Sequence, residues 1–242
     1  PMGYLTVDKL STPEENTEFK GEILPSAGAE IYLRRDITLS PIRQYTWKDV
    51  ENKSDEEHGK VVIAQEYATG STITLKPGET LVVDFGQNCA GVPEFVFKAA
   101  AGTKLRCLPG GLLNDGNGAK KRGMDGPEGS VHRENLRIPN TGIRLDYTFT
   151  DSKDYVTYHP CHTFYGYRYI SVTADAEVSI KAVTTIPVTS IAQNLEIGKI
   201  TTGDESINKL IANTYWGQLS NYLSVPTDCP QRNERLGWTA DT

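Results

Sequence analysis

The sequence predicts a mainly β protein, an antiparallel β-sandwich followed by one amphipathic helix. Short β-branched and aromatic runs recur between about residues 45 and 190, each bounded by Gly, Pro, Asn or Asp. After 190 the apolar period lengthens: Ile207, Leu210, Ile211, Tyr215, Leu219, Tyr222 and Leu223 are spaced by threes and fours, as one face of a helix. The only long break in the strand rhythm is a glycine-rich stretch at 109–130.

Taken in order, residues 1–44 are polar and broken by Pro13, Pro25 and Pro41, which reads as a linker with room for one short strand in AEIYLRRDITLSPI. STITL (71–75) alternates, and KPGE (76–79) places Pro second and Gly third, as a type II turn requires. Strands are then expected at 80–86, 92–99, 103–108, 144–150, 154–160, 167–173 and 178–186, a series that suits a sandwich spanning 45–190. On the strand YGYRY, Tyr165, Tyr167 and Tyr169 are expected to share one packed face. Asp84 and Gln87, in DFGQN, are expected to form a hydrogen-bonded corner.

The 109–130 stretch is too rich in glycine for strand or helix. It reads as a flexible excursion, or as a loop reaching toward a binding site. Its LNDGNG carries oxygens suited to calcium but lacks the terminal glutamate of an EF-hand loop. Residues 191–242 form a second unit. Thr202 and Glu205 offer a capping box for the helix, Trp216 lies off its apolar stripe, and one amphipathic helix cannot bury its face alone. The helix is expected either to pack on the sandwich or to await partner helices, and the second is preferred because the sequence stops within its most chemically loaded segment.

The net charge of −6, with both signs interspersed, argues against nucleic acid or an anionic membrane as partner. No apolar run approaches the about 20 residues of a membrane helix, and the first residues show no signal-peptide pattern. Cys89, Cys107, Cys161 and Cys229 are far apart and are expected to be buried free thiols. His159, Cys161 and His162 fit no common zinc spacing, so no metal site is assigned.

The chemistry concentrates in 228–241, with Asp228, Arg232, Glu234, Arg235, Trp238 and Asp241. Carboxylates and guanidiniums bind sugar hydroxyls, and an indole offers a flat wall to a pyranose. Glu234 is a candidate general acid. Asp228, Asp241 and Trp238 would raise its pKa, while Arg232 and Arg235 would lower it. On residue types alone, a solvated charged loop is equally consistent.

The order of residues adds more. DCPQRNERLGWTAD (228–241) resembles the signature DCPQRDERLGWTGD of the α-L-rhamnosidases of glycoside hydrolase family 78, departing at Asn233 and Ala240. NKLIANTYWGQLSNYLSVPTD (208–228) resembles that family's first barrel helix, and VVDFGQNCAG (82–91), HRENLR (132–137) and YHPCHTFYGYRYISVT (158–173) resemble its sandwich segments. The resemblance implies a β-sandwich followed by the start of a truncated (α/α)6 barrel. It implies hydrolysis of terminal α-L-rhamnosides with inversion and without a cofactor, acting on a rhamnosylated glycoside or polysaccharide. By position, Glu234 resembles the general acid, and Asp228, Arg232 and Asp241 resemble residues that hold the rhamnose hydroxyls. Trp238 resembles a wall of the sugar pocket. The base would come from later in the barrel, so this chain alone is expected to be inactive. A non-catalytic carbohydrate-binding sandwich is the alternative from another class.

Overall fold

The computed structural model describes residues 21, 25, 28–116, 119–120, 125–136, 142–150, 154–196, 198–232 and 237–238. The chain opens with β1 (Tyr32–Leu33), β2 (Arg43–Glu51), β3 (Lys60–Tyr67), β4 (Ile73–Leu75) and β5 (Thr80–Ala99). It continues with β6 (Lys104–Gly110), β7 (Leu112–Leu113), β8 (Val131–His132), β9 (Leu145–Thr148), β10 (Val156–Tyr158), β11 (Tyr165–Ala174) and β12 (Val178–Thr189). A helix, α1 (Glu205–Asn221), and two short strands, β13 (Tyr222–Leu223) and β14 (Val225–Pro226), follow. Among the described residues every strand pairing is antiparallel.

The organising element is β5. Two strands were expected, at 80–86 and 92–99, but one strand of 20 residues covers both. Its first part lies between β2 and β11, and its last part between β12 and β10. Leu81, Val83 and Phe85 from the first part share one core with Phe95, Phe97 and Ala99 from the last. The sheet therefore folds over on itself into two layers joined through β5, with β6, β9 and β11 in one and β4 and β12 in the other. In each of these two parts of β5 the core-facing side chains are every second residue, because successive strand residues alternate faces. Phe97 meets Phe95, Tyr147 and Phe149 edge to face, with centroids 4.8 to 5.4 Å apart.

The fold turns at DFGQN. Asp84 pairs with Tyr169 and Cys89 with Tyr167, so residues 85–88 stand opposite Arg168 alone. Gly86 supplies the φ of +76° that this bulge requires. The buried Asp84 carboxylate accepts from Gly86 N at 2.7 Å, and Arg168 forks onto it at 2.8 and 2.8 Å. The corner expected at Asp84 is present, closed by Arg168, which the alternation of the sequence sets on the face opposite its tyrosine neighbours. Gln87 only donates to the neighbouring Asn88 carbonyl. The same bulge corrects the expectation for Tyr165, Tyr167 and Tyr169. The first two enter the main core, whereas Tyr169 packs on the opposite face beside Tyr45, Val82 and Val131.

Strands β2 and β3 were not anticipated individually. The β3 run, KVVIAQEY, is largely exposed because β3 is an edge strand, and in β2, RQYTWKDVE, the buried residues Gln44, Tyr45 and Thr46 are consecutive, so neither shows clean alternation. The first residues of the 109–130 stretch are strand: Pro109 and Gly110 end β6, and β7 pairs with β8, which begins just past residue 130. Buried Asn114 bonds Ser130 Oγ at 2.8 Å and lies 3.0 Å from His132 Nδ1. Residues 117–118 and 121–124 lie outside the described residues. The turn at 76–79 matches expectation, with Gly78 at φ +80° and Glu79 N bonded to Lys76 O at 3.1 Å. Cys89 and Cys107 are buried, and burial pushes each thiol up to about 12, but Cys161 is exposed and Cys229 half-buried. All four are free thiols.

Helix α1 is capped by Asp204, not by Thr202. The Asp204 side chain accepts from Ser206 N and Ile207 N, while the Thr202 hydroxyl donates to Asp204 O. A carboxylate at this position also faces the positive end of the helix dipole. Leu219 and Ser220 are buried, whereas Ile207 and Leu210 remain 46% and 64% exposed. The last turn thus packs on the sandwich and the earlier apolar face does not. Trp216 is half-buried, edge-on to Tyr215.

Replacing Asp84 by alanine leaves the Gly86 amide and the Arg168 guanidinium without their acceptor. Asp84→Ala is expected to lower stability by about 1.5–3 kcal/mol, read as a reduced urea midpoint at unchanged slope. An unchanged midpoint would contradict the closure of the bulge. Desolvation holds Tyr45 and Tyr165 at about 12 and raises Tyr167 well above 10.0. Because folding raises these values, the protonated phenols favour the folded state. Their contribution is complete below the unfolded value of about 10 and is lost as pH climbs through about 12. Ultraviolet titration should show these phenols ionising only as the fold is lost.

Candidate functional site

Of the five residues singled out, Glu234 and Asp241 lie outside the described residues, while Asp228, Arg232 and Trp238 are described. The segment that carries them is delivered by α1 and anchored to the sandwich at several points. Ser220 Oγ accepts from Ala90 N on β5 at 3.2 Å. The Tyr222 carbonyl accepts from Ser190 N at 2.6 Å and from the Thr189 hydroxyl at 3.3 Å. Leu223 is buried with Ala90, Val92, Ile186 and Val188, next to Phe164. Ser224, at φ +69°, reverses the chain between β13 and β14, and its N–H reaches Ser190 Oγ at 2.7 Å.

Beyond β14 the chain folds back on itself. Thr227 donates to Asn221 O through its amide at 2.7 Å and its hydroxyl at 3.1 Å. Trp238 N donates to Pro226 O at 2.9 Å, so the two ends of 226–238 meet at a neck. Arg232 bonds Asp228 at 2.9 Å and the Cys229 sulfur at 3.0 Å. The structure thus brings Asp228 and Arg232 together as an ion pair and leaves the Trp238 side chain 47% exposed at the neck.

The backbone of Pro230 and Gln231 crosses β11 directly over Gly166. A Cβ on Gly166 would lie 2.5 Å from the Pro230 carbonyl carbon and 2.8 Å from Gln231 Cα. Only a residue without a side chain permits that approach. Sequence reading placed Gly166 within a strand motif but could not assign it this contact, since its partner is more than sixty residues away.

Sequence reading also missed a network that ties three segments together. Arg34 is 4% exposed; it forks onto Asp36 at 2.8 and 2.7 Å, donates to Ile191 O at 3.1 Å, and pairs with Glu196. Glu196 in turn accepts from the Tyr215 hydroxyl of α1 at 2.6 Å. Burial, together with Glu196, pushes the Tyr215 phenol up to about 12. The Arg34 guanidinium holds Asp36 below the usual carboxylate range.

Beside the crossing lies a cavity of about 1030 Å³. Its walls include β1, the segment 159–164 between β10 and β11, and Pro230, Gln231 and Arg232. Among the described residues, no group of three or more His, Cys, Asp or Glu is placed to hold a metal ion.

Comparison with known proteins identifies this architecture. Residues 73–189 match the bacterial α-L-rhamnosidase concanavalin-like domain, and residues 195–242 match the bacterial α-L-rhamnosidase six-hairpin glycosidase domain. An α-L-rhamnosidase from Streptomyces avermitilis is 36% identical over 185 residues, 76% of this chain and 16% of that protein. One from Formosa agariphila is 27% identical over 211 residues, 78% of this chain and 21% of that protein. The solved structure of Streptomyces avermitilis α-L-rhamnosidase complexed with L-rhamnose superposes with a TM-score of 0.58 at 25% identity, over 90% of this chain and 16% of that one. Both matched models are domains of bacterial α-L-rhamnosidases. The chain belongs to the bacterial α-L-rhamnosidase family, and it spans between 16% and 21% of the length of these two relatives.

Gly166→Ala forces a methyl group into backbone. It is expected to cost about 1–3 kcal/mol and to displace 228–238. Gly217→Ala, where nothing lies within 4 Å, should instead be neutral or stabilising by up to about 1 kcal/mol. Limited trypsin digestion after Arg232 and Arg235 should accelerate in the first variant alone; equal rates in both would contradict the crossing.

Proposed function

We propose that the chain forms the sandwich and the first catalytic segment of an inverting α-L-rhamnosidase. Residues 1–44 are its linker, 45–190 its sandwich, and 191–242 the beginning of its (α/α)6 barrel. The observation that carries this reading is the signature segment itself, seated on Gly166 with the Asp228–Arg232 pair formed.

Each role follows from chemistry. A departing sugar oxygen is a poor leaving group and needs a proton as the bond breaks. Glu234 supplies it. To do so, it must stay protonated near neutral pH. A neighbouring carboxylate or an apolar wall such as the Trp238 indole raises its pKa, against the lowering effect of Arg232 and Arg235. Asp228, Arg232 and Asp241 hold the rhamnose hydroxyls, and Trp238 gives the ring a flat apolar wall. Inversion requires a second carboxylate about 6.5–9.5 Å from the first, so that a water fits beneath the anomeric carbon. That base comes from a later barrel segment, and the 242-residue chain alone does not turn over rhamnosides. A purely sugar-binding sandwich would leave the candidate acid of the signature sequence without a use.

In the intact gene product, Glu234→Gln is expected to lower kcat/KM on a rhamnosyl disaccharide by about 10²–10⁴. The loss should be smaller on a nitrophenyl rhamnoside, whose leaving group needs little protonation. Proton NMR of the first-formed sugar should show the anomer opposite to that of the substrate. Undiminished activity in the glutamine variant, or robust turnover by the 242-residue chain, would contradict the assignment.

A further inference from the structure

The Asp228–Arg232 pair is held by more than its two charges. Arg232 Nη2 donates to Asp228 Oδ2 at 2.9 Å, and Arg232 Nε donates to Cys229 Sγ at 3.0 Å. The sulfur lies 3.7 Å from the same Oδ2 and donates to it. A thiol carries one proton and also accepts weakly. With the proton turned to the carboxylate, its lone pairs face the arginine, so one sulfur meets both partners. The three side chains close a ring of hydrogen bonds, and all three residues are half-buried.

The ring fixes what an ion pair alone leaves loose. A guanidinium bound only through Nη2 can swing about that contact. A second bond at Nε, on the same edge of the planar fork, sets the plane. On the carboxylate, both bonds fall on Oδ2, and among the described residues none falls on Oδ1. The backbone supports the same geometry. Pro230 and Gln231, the two residues between Cys229 and Arg232, are the ones seated over Gly166. The thiol and the guanidinium therefore flank a fixed piece of chain.

We propose that Cys229 is a positioning residue for sugar binding. Its thiol sets the plane of the Arg232 guanidinium and pins Asp228 through Oδ2, leaving Oδ1 to a rhamnose hydroxyl. The inference rests on the proposed rhamnosidase reading, in which Asp228 and Arg232 hold those hydroxyls. It adds an uncharged residue that acts through both of them without touching the sugar.

The test is a mutant cycle in the intact gene product, with a nitrophenyl rhamnoside as substrate. Cys229→Ala should raise KM about three- to tenfold, as the loss of one hydrogen bond gives. The value of kcat should barely change, because the grip on the bound sugar is what weakens. Cys229→Ser, whose hydroxyl also donates and accepts, should recover part of the loss. Arg232→Lys has no Nε, so adding Cys229→Ala to it should raise KM no further. In the 242-residue chain, the Arg232 Nε–H signal should exchange slowly with water by NMR. Arg232→Lys removes and so assigns that signal; it should stay slow in Cys229→Ser and become fast in Cys229→Ala, with urea midpoints checking that each variant folds. An unchanged KM in Cys229→Ala, equal losses for serine and alanine, additive losses with Arg232→Lys, or exchange indifferent to position 229 overturns the proposal and spares the acid assignment. Failure of the parent to cleave any rhamnoside overturns the rhamnosidase reading and the sugar-binding role with it, while the exchange measurement still decides whether the thiol orients the guanidinium.

Discussion

Where Pro230 and Gln231 cross the sandwich, β11 leaves room for a hydrogen atom and nothing larger. That absent side chain at Gly166 sets the position of the segment that bears the candidate acid. The contact exists because β5 and β11 are held rigidly beneath it. β5 serves both layers, and its bulge is locked by Asp84 and Arg168. The corner at DFGQN, far from the signature in sequence, thereby governs where the signature lies. A neck between Pro226 and Trp238 closes the other side, so backbone contacts fix the segment at both ends.

This arrangement suits an acid–base site. Catalytic groups act only when held to within a fraction of an ångström of productive geometry, and rigid elements do that better than free loops. Among the described residues of the segment, this anchoring leaves Trp238 47% exposed. The Arg34, Glu196 and Tyr215 network adds a second tie, from the residues before β2 to the middle of α1. The helix is thus held to the sandwich at its last turn by packing and near its middle by the Tyr215 hydrogen bond to Glu196. Its apolar residues near the start stay exposed.

Much of the fold was legible because strand and helix differ in apolar period. The turn at 76–79, the core strands and the helix all announce themselves in that way. What remained hidden depends on partners distant in sequence. Nothing local says that 80–99 is one strand, since Gly86 looks like a terminator and acts as a bulge inside a continuous ladder. Tyr169 defied its alternation for the same reason, one step past Arg168. The helix cap fell to Asp204 although Thr202 fits the box pattern, because the carboxylate sits at the position from which the first amides can be reached. For the site, residue order pointed to Asp228, Arg232 and Trp238, and the structure pairs the first two. The glycine that seats them could be recognised only once β11 and the segment at 230–231 were in place.

The most direct test of this account is a crystal structure of the intact gene product with L-rhamnose bound. The account predicts that Pro230 and Gln231 still lie on Gly166 and that the Glu234 carboxyl stands within hydrogen-bonding reach of the anomeric oxygen, about 2.6–3.2 Å. Rhamnose bound away from the signature segment, or that segment lifted from β11 with the sugar in place, would contradict it.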